Sequence, residues 1–187
     1  MGTLNLGSLE LVASGTELQL GNGVWDHGNN TFQAGSDGTT NTPVVHAFMS
    51  DASQTISDAT WTKNTWLGDE TIDTDNAFES SKFTVPANRG GLYYISTGVN
   101  FYSDGNNMRN AQLAIYKNGS KIVGSYNIVM SGDQDLRHFQ AWAHTIHDLS
   151  VGDYIEQYFY MDTTSGVRYI SRDSSGVRGN YILIYKL

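Results

Sequence analysis

Apolar and polar residues alternate along most of this chain, and few stretches have the spacing of a helix. A period of two places successive side chains on opposite faces of a β-strand, whereas a helix repeats every 3.6 residues. From Pro43 onward the alternating stretches are short and are separated by turn residues. They predict about ten strands, spaced as in a β-sandwich or jelly roll. These strands cover residues 44–49, 59–66, 83–85, 92–101, 112–117, 121–126, 139–146, 153–161, 167–170 and 181–185, with Phe78 leading into the third.

The first 42 residues differ from the rest, being rich in Gly, Thr, Asn and Ser and poor in aromatic residues. Residues 2–7 and 15–21 resemble each other, since each segment alternates apolar and polar residues between two glycines. Each predicts a strand with one apolar face, which two short strands cannot bury alone. Residues 21–42 are typical of a loop and linker. We therefore expect two parts, an extended β-arm with its linker (1–42) and a jelly-roll domain (43–187).

The arm has two interpretations that the sequence leaves open. It adds to the sheet of another subunit or forms a small intertwined collar, or it is a hairpin folded onto its own domain. In the first interpretation, leucines on the apolar faces carry the attachment: Leu4, Leu6, Leu9, Leu11, Leu18 and Leu20.

Within the second part, two features are informative. Asn118-Gly119 between alternating stretches is a strong signal for a tight hairpin. In the predicted strand 92–101, Tyr93, Ile95 and every second residue after them lie on one face. The other face begins with Leu92 and Tyr94, so it is also apolar near the start of the strand. A strand of this kind is covered on both sides, by its own second sheet and by a neighbouring subunit.

Four segments in order resemble the globular head of complement component one, subcomponent q, which shares the ten-stranded jelly roll of tumour necrosis factor. The first segment extends from Phe78 to Val99 and contains the runs Lys82-Phe83-Thr84-Val85-Pro86 and Gly91-Leu92-Tyr93-Tyr94-Ile95. The other three are residues 113–119, residues 149–155 and residues 181–184. The resemblance covers about residues 43–187. It implies a homotrimer with both termini at one end and recognition loops at the other. It also implies a set of core or trimer-interface residues: Phe83, Tyr93, Tyr94, Ile95 and Tyr181.

Composition narrows the classes of partner. The formal net charge is −8, and no Lys or Arg precedes Lys63. Phosphate contacts require such residues, so we expect no nucleic-acid partner. No window approaches the ~20 apolar residues of a membrane span, and the first twenty residues do not resemble a signal peptide. The chain has no cysteine, which excludes disulfides and thiolate metal sites.

The sequence predicts no catalytic, cofactor or metal site, and we expect a non-enzymatic protein. His144 and His147 are three apart on a strand, so they face opposite sides and cannot chelate together. Asp133 and Asp135, two apart in an expected loop, could share a calcium ion, although solvated acids are the simpler interpretation. Common nucleophile, phosphate-loop and zinc-protease motifs are missing from the sequence.

These observations favour a virion structural protein of a tailed bacteriophage, a trimeric capsid decoration (cement) protein at the virion surface. Its partners are then itself, capsid subunits or another virion protein, and a possible host surface ligand. The alternatives are a trimeric tail-fibre tip, or another receptor-recognition module of a bacterium or an animal. An arm of about forty residues leaves little room for both a fibre shaft and a tail anchor, which favours decoration.

Overall fold

A computed structural model describes residues 3–6, 9–14, 17–20, 23–26, 31–33, 42–50, 53–105, 107–128, 136–171 and 179–187. The chain divides into two compact units, Met1–Asn41 and Thr42–Leu187. In the described ranges the regular secondary structure is β-strand throughout, and no helix there could span a membrane.

The first unit is a five-stranded antiparallel meander in chain order. Its strands are β1 (Thr3–Leu6), β2 (Leu9–Ser14), β3 (Glu17–Leu20), β4 (Gly23–Asp26) and β5 (Thr31–Gln33). The two repeated segments form β1 and β3, and β2 lies between them. The prediction of a loop over 21–42 was wrong for β4 and β5, because Val24-Trp25 and Phe32 supply strand-forming residues that the surrounding glycines and asparagines obscured.

The second unit consists of two antiparallel sheets. The front sheet has the order β7-β17-β12-β18-β6-β9, with β15 also paired to β12, and the back sheet has the order β10-β11-β16-β13-β14, with β8 also paired to β16. The strands are β6 (Val44–Met49), β7 (Ser53–Thr55), β8 (Thr62–Lys63), β9 (Leu67–Asp73), β10 (Phe78–Glu79), β11 (Lys82–Thr84), β12 (Gly91–Ser103), β13 (Met108–Lys117), β14 (Ser120–Ile128), β15 (His138–Leu149), β16 (Tyr154–Thr163), β17 (Arg168–Ser171) and β18 (Tyr181–Lys186). The expected all-β, jelly-roll-like architecture is confirmed.

The core lies between the two sheets and follows from the alternation. Alternate residues of β12 face inward, and Tyr93, Ile95 and Val99 are fully buried there. From the back sheet, Leu113 on β13 and Phe159 on β16 point into the same core. The long strands β12, β13 and β16 therefore each contribute one apolar face to the core, and their other faces point away from it.

The predicted strand over 59–66 is the main error in this unit. Only Thr62–Lys63 pairs with β16, and Ala59 adopts a left-handed backbone with φ of 46° that a regular strand cannot contain. Sequence reasoning also missed β7 and β9, because neither alternates clearly: β9 reads Leu-Gly-Asp-Glu-Thr-Ile-Asp.

One carboxylate fixes the turn before β16 and the hairpin between β13 and β14. Asn118 and Gly119 have φ of 51° and 77°, as the predicted tight hairpin requires. Asn118 donates through Nδ2 to Asp153 at 2.7 Å, and the Lys117 ammonium lies 2.8 Å from the same carboxylate. The Ser150 amide also donates to it, at 2.8 Å. Asp153 therefore links two turns that are distant in sequence.

Candidate functional site

The outward face of the front sheet carries a group of large apolar and aromatic side chains. They alternate with the core residues along β6, β12, β15 and β18, and the register brings them side by side. We call this surface the aromatic face. It comprises Phe48, Leu92, Tyr94, Trp142, Ile146, Tyr181 and Tyr185.

The rings of the aromatic face pack against each other across the strands. The ring centroids of Tyr94 and Tyr185 are 5.2 Å apart, and those of His46 and Phe48 are 4.4 Å apart. Rings at such distances contribute packing energy beyond the area that they bury. These rings therefore have packing partners within the single chain.

Gly98 forms the floor of this face between Trp142 and Tyr181, which are its partners on either side. A Cβ at this position would lie 2.6 Å from Tyr181 Cε1 and 3.1 Å from Trp142 Cδ1. The two rings thus lean over the glycine, and only a residue without a side chain allows this close approach.

A buried polar network lies directly beneath Gly98 and connects the two sheets. The Gln157 amide donates to Thr97 Oγ1 and to the Gly98 carbonyl, the latter at 3.1 Å. Asn64 donates to Gln157 Oε1 at 2.5 Å and accepts from the Trp66 amide at 2.9 Å. Because Asn64 and Gln157 are both buried, every one of these bonds replaces lost contact with water.

One end of the aromatic face opens into a cleft of about 440 Å³. Tyr102 lines this cleft, and its ring centroid lies 4.2 Å from that of His138 and 4.5 Å from that of Tyr169. Arg137 donates to the Tyr102 hydroxyl, and its guanidinium lies over the same ring. Burial and a hydrogen bond with Tyr102 raise the pKa of Tyr169 to about 12, so this phenol is neutral at physiological pH.

The back sheet has a separate aromatic cluster on its outer side. Tyr116 stacks on Tyr158 with ring centroids 4.1 Å apart, and Trp61 lies 5.6 Å from Tyr160. Lys121 places its ammonium 4.4 Å from the Trp61 ring centroid. A smaller groove of about 280 Å³ adjoins Trp61 and Lys121.

The residues expected in the core or trimer interface divide into two groups. Phe83, Tyr93 and Ile95 lie in the core between the sheets, and the Phe83 and Tyr93 ring centroids are 5.6 Å apart. Tyr94 and Tyr181 are half-buried on the aromatic face. Sequence reasoning missed Trp142 and Ile146, although the alternation along 139–146 could have placed both on the outer face.

The candidate arm and metal residues have different outcomes. The attachment leucines all lie in the described strands of the first unit, at positions 4 and 6 of β1, 9 and 11 of β2, and 18 and 20 of β3. His144 pairs with Ser96 and His147 with Tyr93, which puts the histidines on opposite faces of the front sheet. Among described residues, no three His, Cys, Asp or Glu side chains are grouped to hold a metal. Asp133 and Asp135 lie outside the described residues.

The fold is similar to that of several solved structures. Eiger TNF from S. frugiperda aligns with a TM-score of 0.57 at 10% identity, covering 77% of this chain and 91% of its own. Murine APRIL aligns with a TM-score of 0.53 at 15% identity, covering 77% and 98%. The globular domain of the zebrafish complement 1qA protein aligns with a TM-score of 0.50 at 11% identity, covering 78% and 98%. At these identities the likeness is one of fold.

Comparison of sequences adds no family to this likeness. No family model and no curated protein matches the chain.

Proposed function

We propose that this chain is a non-enzymatic structural and binding module that assembles as a homotrimer through the aromatic face. The observation that carries the proposal is the exposure of three large apolar side chains there. Leu92, Trp142 and Ile146 are 52%, 54% and 58% exposed in the single chain. Single exposed apolar residues are ordinary, but a contiguous patch on a sheet face marks an interaction surface.

A trimer suits this surface better than a small ligand does. The aromatic face extends over four neighbouring strands, and an obligate interface buries on the order of 2,000 Å² or more. Its rings carry polar ends, such as the Tyr181 hydroxyl that lies 3.3 Å from Ser96 Oγ. Aromatic side chains of this kind are enriched at subunit interfaces. The trimer implied by the sequence resemblance agrees with this location.

Light scattering at micromolar concentration tests the assembly. The wild-type protein should give three times the 20.6 kDa chain mass, whereas Ile146→Asp should give monomers because it places a charge within the interface. Val151→Asp is the matched control, since Val151 is 54% exposed in a turn outside the aromatic face. A wild-type monomer, or a trimer unaffected by Ile146→Asp, would contradict the proposal.

We further propose that the trimer is a capsid decoration protein of a tailed bacteriophage, attached to the virion surface by its first unit. Its support is the separate N-terminal unit, together with the lack of Lys and Arg before Lys63, which requires a basic or neutral docking partner. The experiment adds protein lacking residues 1–42 to particles without this protein. Full-length trimer should bind and the truncated trimer should not, while equal occupancy would assign attachment to the jelly roll.

Receptor recognition is the second candidate function, as at a fibre tip. It is favoured by the groove beside Trp61 on the back sheet, which stays exposed when the front sheet forms the trimer. Fluorescently labelled trimer should then bind host cell envelopes, and Trp61→Ala should abolish binding. Val167→Ala, an exposed apolar residue elsewhere, should bind as the wild type does. Equal binding by Trp61→Ala would exclude this groove.

A further inference from the structure

The strand register of the first unit gives its sheet two very different faces. Directly opposed residues of an antiparallel pair share one face. Leu11 pairs with both Leu4 and Leu20, Leu18 pairs with Trp25, and Trp25 pairs with Phe32. With their alternates, these positions define one face, which we call the leucine face. It comprises positions 4, 6, 9, 11, 13, 18, 20, 23, 25 and 32, occupied by six leucines, Ala13, Gly23, Trp25 and Phe32.

The opposite face has polar and acidic positions. By the same register it contains Glu10, Glu17 and Asp26 with their polar neighbours, and Val12 and Val24 are its apolar exceptions. Residues 1–41 contain no Lys or Arg. The sheet thus has one apolar face and one face with a single sign of charge.

A sheet with these faces needs a second layer. A domain is built from at least two packed layers, because each apolar face must be buried against another element. Burying one leucine side chain stabilises a fold by about 1.5–3 kcal/mol, so six leucines on one face strongly favour covering that face. Strand addition cannot provide this cover, since a strand added beside β1 or β5 extends the sheet sideways and leaves the apolar face uncovered.

We infer that the leucine faces of three copies pack against each other around the three-fold axis, forming a triangular β-prism. This inference rests on the proposed homotrimer and deepens it. Five strands at about 4.8 Å spacing make a wall roughly 20 Å across, and the six residues of β2 extend about 20 Å. In a triangle with sides of about 20 Å, each wall lies roughly 6 Å from the axis. That is close to half of the ~10 Å between packed sheets, so three walls enclose a core without a void.

The charges agree with this arrangement. Three copies packed by their leucine faces place their acidic faces on the three outer sides of the prism, where water and salt screen the repulsion. Attachment to a larger particle then uses the acidic outer faces or the free edges of β1 and β5, and the leucines act by building the prism.

A single introduced thiol tests the inference in the full chain, because the sequence has no cysteine. β3 is the middle strand of each wall and lies nearest the axis, so position 18 meets its two symmetry mates there. Leu18→Cys trimers treated with a short bismaleimide should give covalently linked chains in a denaturing gel. Gln19→Cys, on the acidic face of the same strand, should give none. Leu20→Cys is a second variant, should Leu18→Cys fail to fold.

The outcomes separate this inference from the trimer itself. Light scattering is run on each variant before the reagent is added. If the variants are trimeric but no leucine-face thiol gives linked chains, the leucine face packs elsewhere, and the inference fails while the homotrimer stands. Equal linkage at positions 18 and 19 would also overturn it. If the wild-type protein is monomeric, the proposed function fails first.

Discussion

Two adjacent tyrosines on β12, Tyr93 and Tyr94, lie on opposite faces of the front sheet and should respond differently to substitution. Tyr93 is fully buried in the core, its hydroxyl donates to the Arg89 carbonyl at 2.5 Å, and burial raises its pKa to about 12. Tyr93→Ala should lower the free energy of unfolding by about 3–5 kcal/mol, because it leaves a large cavity. Chemical denaturation measured by Trp fluorescence gives this value.

Tyr94→Ala should act differently, since Tyr94 is half-buried on the aromatic face beside Tyr185. A variant that weakens only the trimer melts at a temperature that depends strongly on protein concentration. Calorimetry of Tyr94→Ala over a hundredfold dilution series should show this dependence more steeply than the wild type does. A constant difference at every concentration would place Tyr94 outside the interface.

Asp153 makes the folding stability of the protein depend on pH. Its pKa is lowered to about 2, chiefly by the Lys117 ammonium and then by Asn118 and the Ser150 amide. A carboxylate with a lowered pKa stabilises the fold above its unfolded value, near 4, and this contribution disappears as the pH falls toward 2. Asp153→Asn should therefore cost about 1 kcal/mol at pH 7, reduced by solvent screening at this turn, and close to nothing at pH 2.

Denaturation curves at pH 7, 4 and 2 measure the contribution of Asp153. Asp162→Asn is a control on the same strand and should stay near the wild-type stability, as most surface substitutions do. A loss for Asp153→Asn that is equal at all three pH values would show that the side chain acts through shape and not through charge.

Among the elements, the long alternating strands could be predicted from sequence and the short irregular ones could not. Leu92 to Phe101 fell within β12 because alternation over ten residues has only one plausible periodicity. The segment 59–66 has apolar residues at strand-like spacing, but Trp61 and Trp66 pack on different parts of the domain, and the chain bends at Ala59. The structure of such segments depends on tertiary contacts, which the pattern of a single sequence does not contain.

The aromatic face could be predicted only in part. Alternation predicts that Tyr94 points away from the face that carries Tyr93. It does not predict the neighbours of Tyr94, because they come from β15 and β18, whose register is fixed by pairing across the sheet. The buried pair Asn64 and Gln157 left no signal in the sequence, since a polar residue inside a strand usually indicates an exposed position.

Substitution of Gly98 tests how closely the side chains on the front sheet pack. Gly98→Ala should shift Tyr181 and Trp142 from their positions, because the new Cβ would lie 2.6 Å from the Tyr181 ring. Overpacking of this kind typically costs about 1–3 kcal/mol. Thermal denaturation of Gly98→Ala measures the loss, and near-ultraviolet circular dichroism reports the displaced Trp142 ring.

Gly68→Ala is the matched control for Gly98→Ala. Gly68 lies on β9, at the edge of the same sheet, and a Cβ there would meet Ser50 Oγ at 3.6 Å, an ordinary contact. Equal losses from the two substitutions would show that the effect belongs to strand glycines in general and that the aromatic face tolerates movement.

For the whole molecule, the division into two units predicts that the jelly roll folds without the first unit. In the described residues, the sheets of the unit Thr42–Leu187 pair only among β6 to β18, and the core between them is built from residues of the same unit. Protein lacking residues 1–42 should therefore remain folded and, through the aromatic face, trimeric. Its mass by light scattering should be three times that of the shortened chain, and its near-ultraviolet spectrum should retain the signal of packed Trp and Tyr rings. Failure to fold would show that the first unit is a layer of the jelly roll itself. A folded monomer would instead assign the trimer contacts to the first unit.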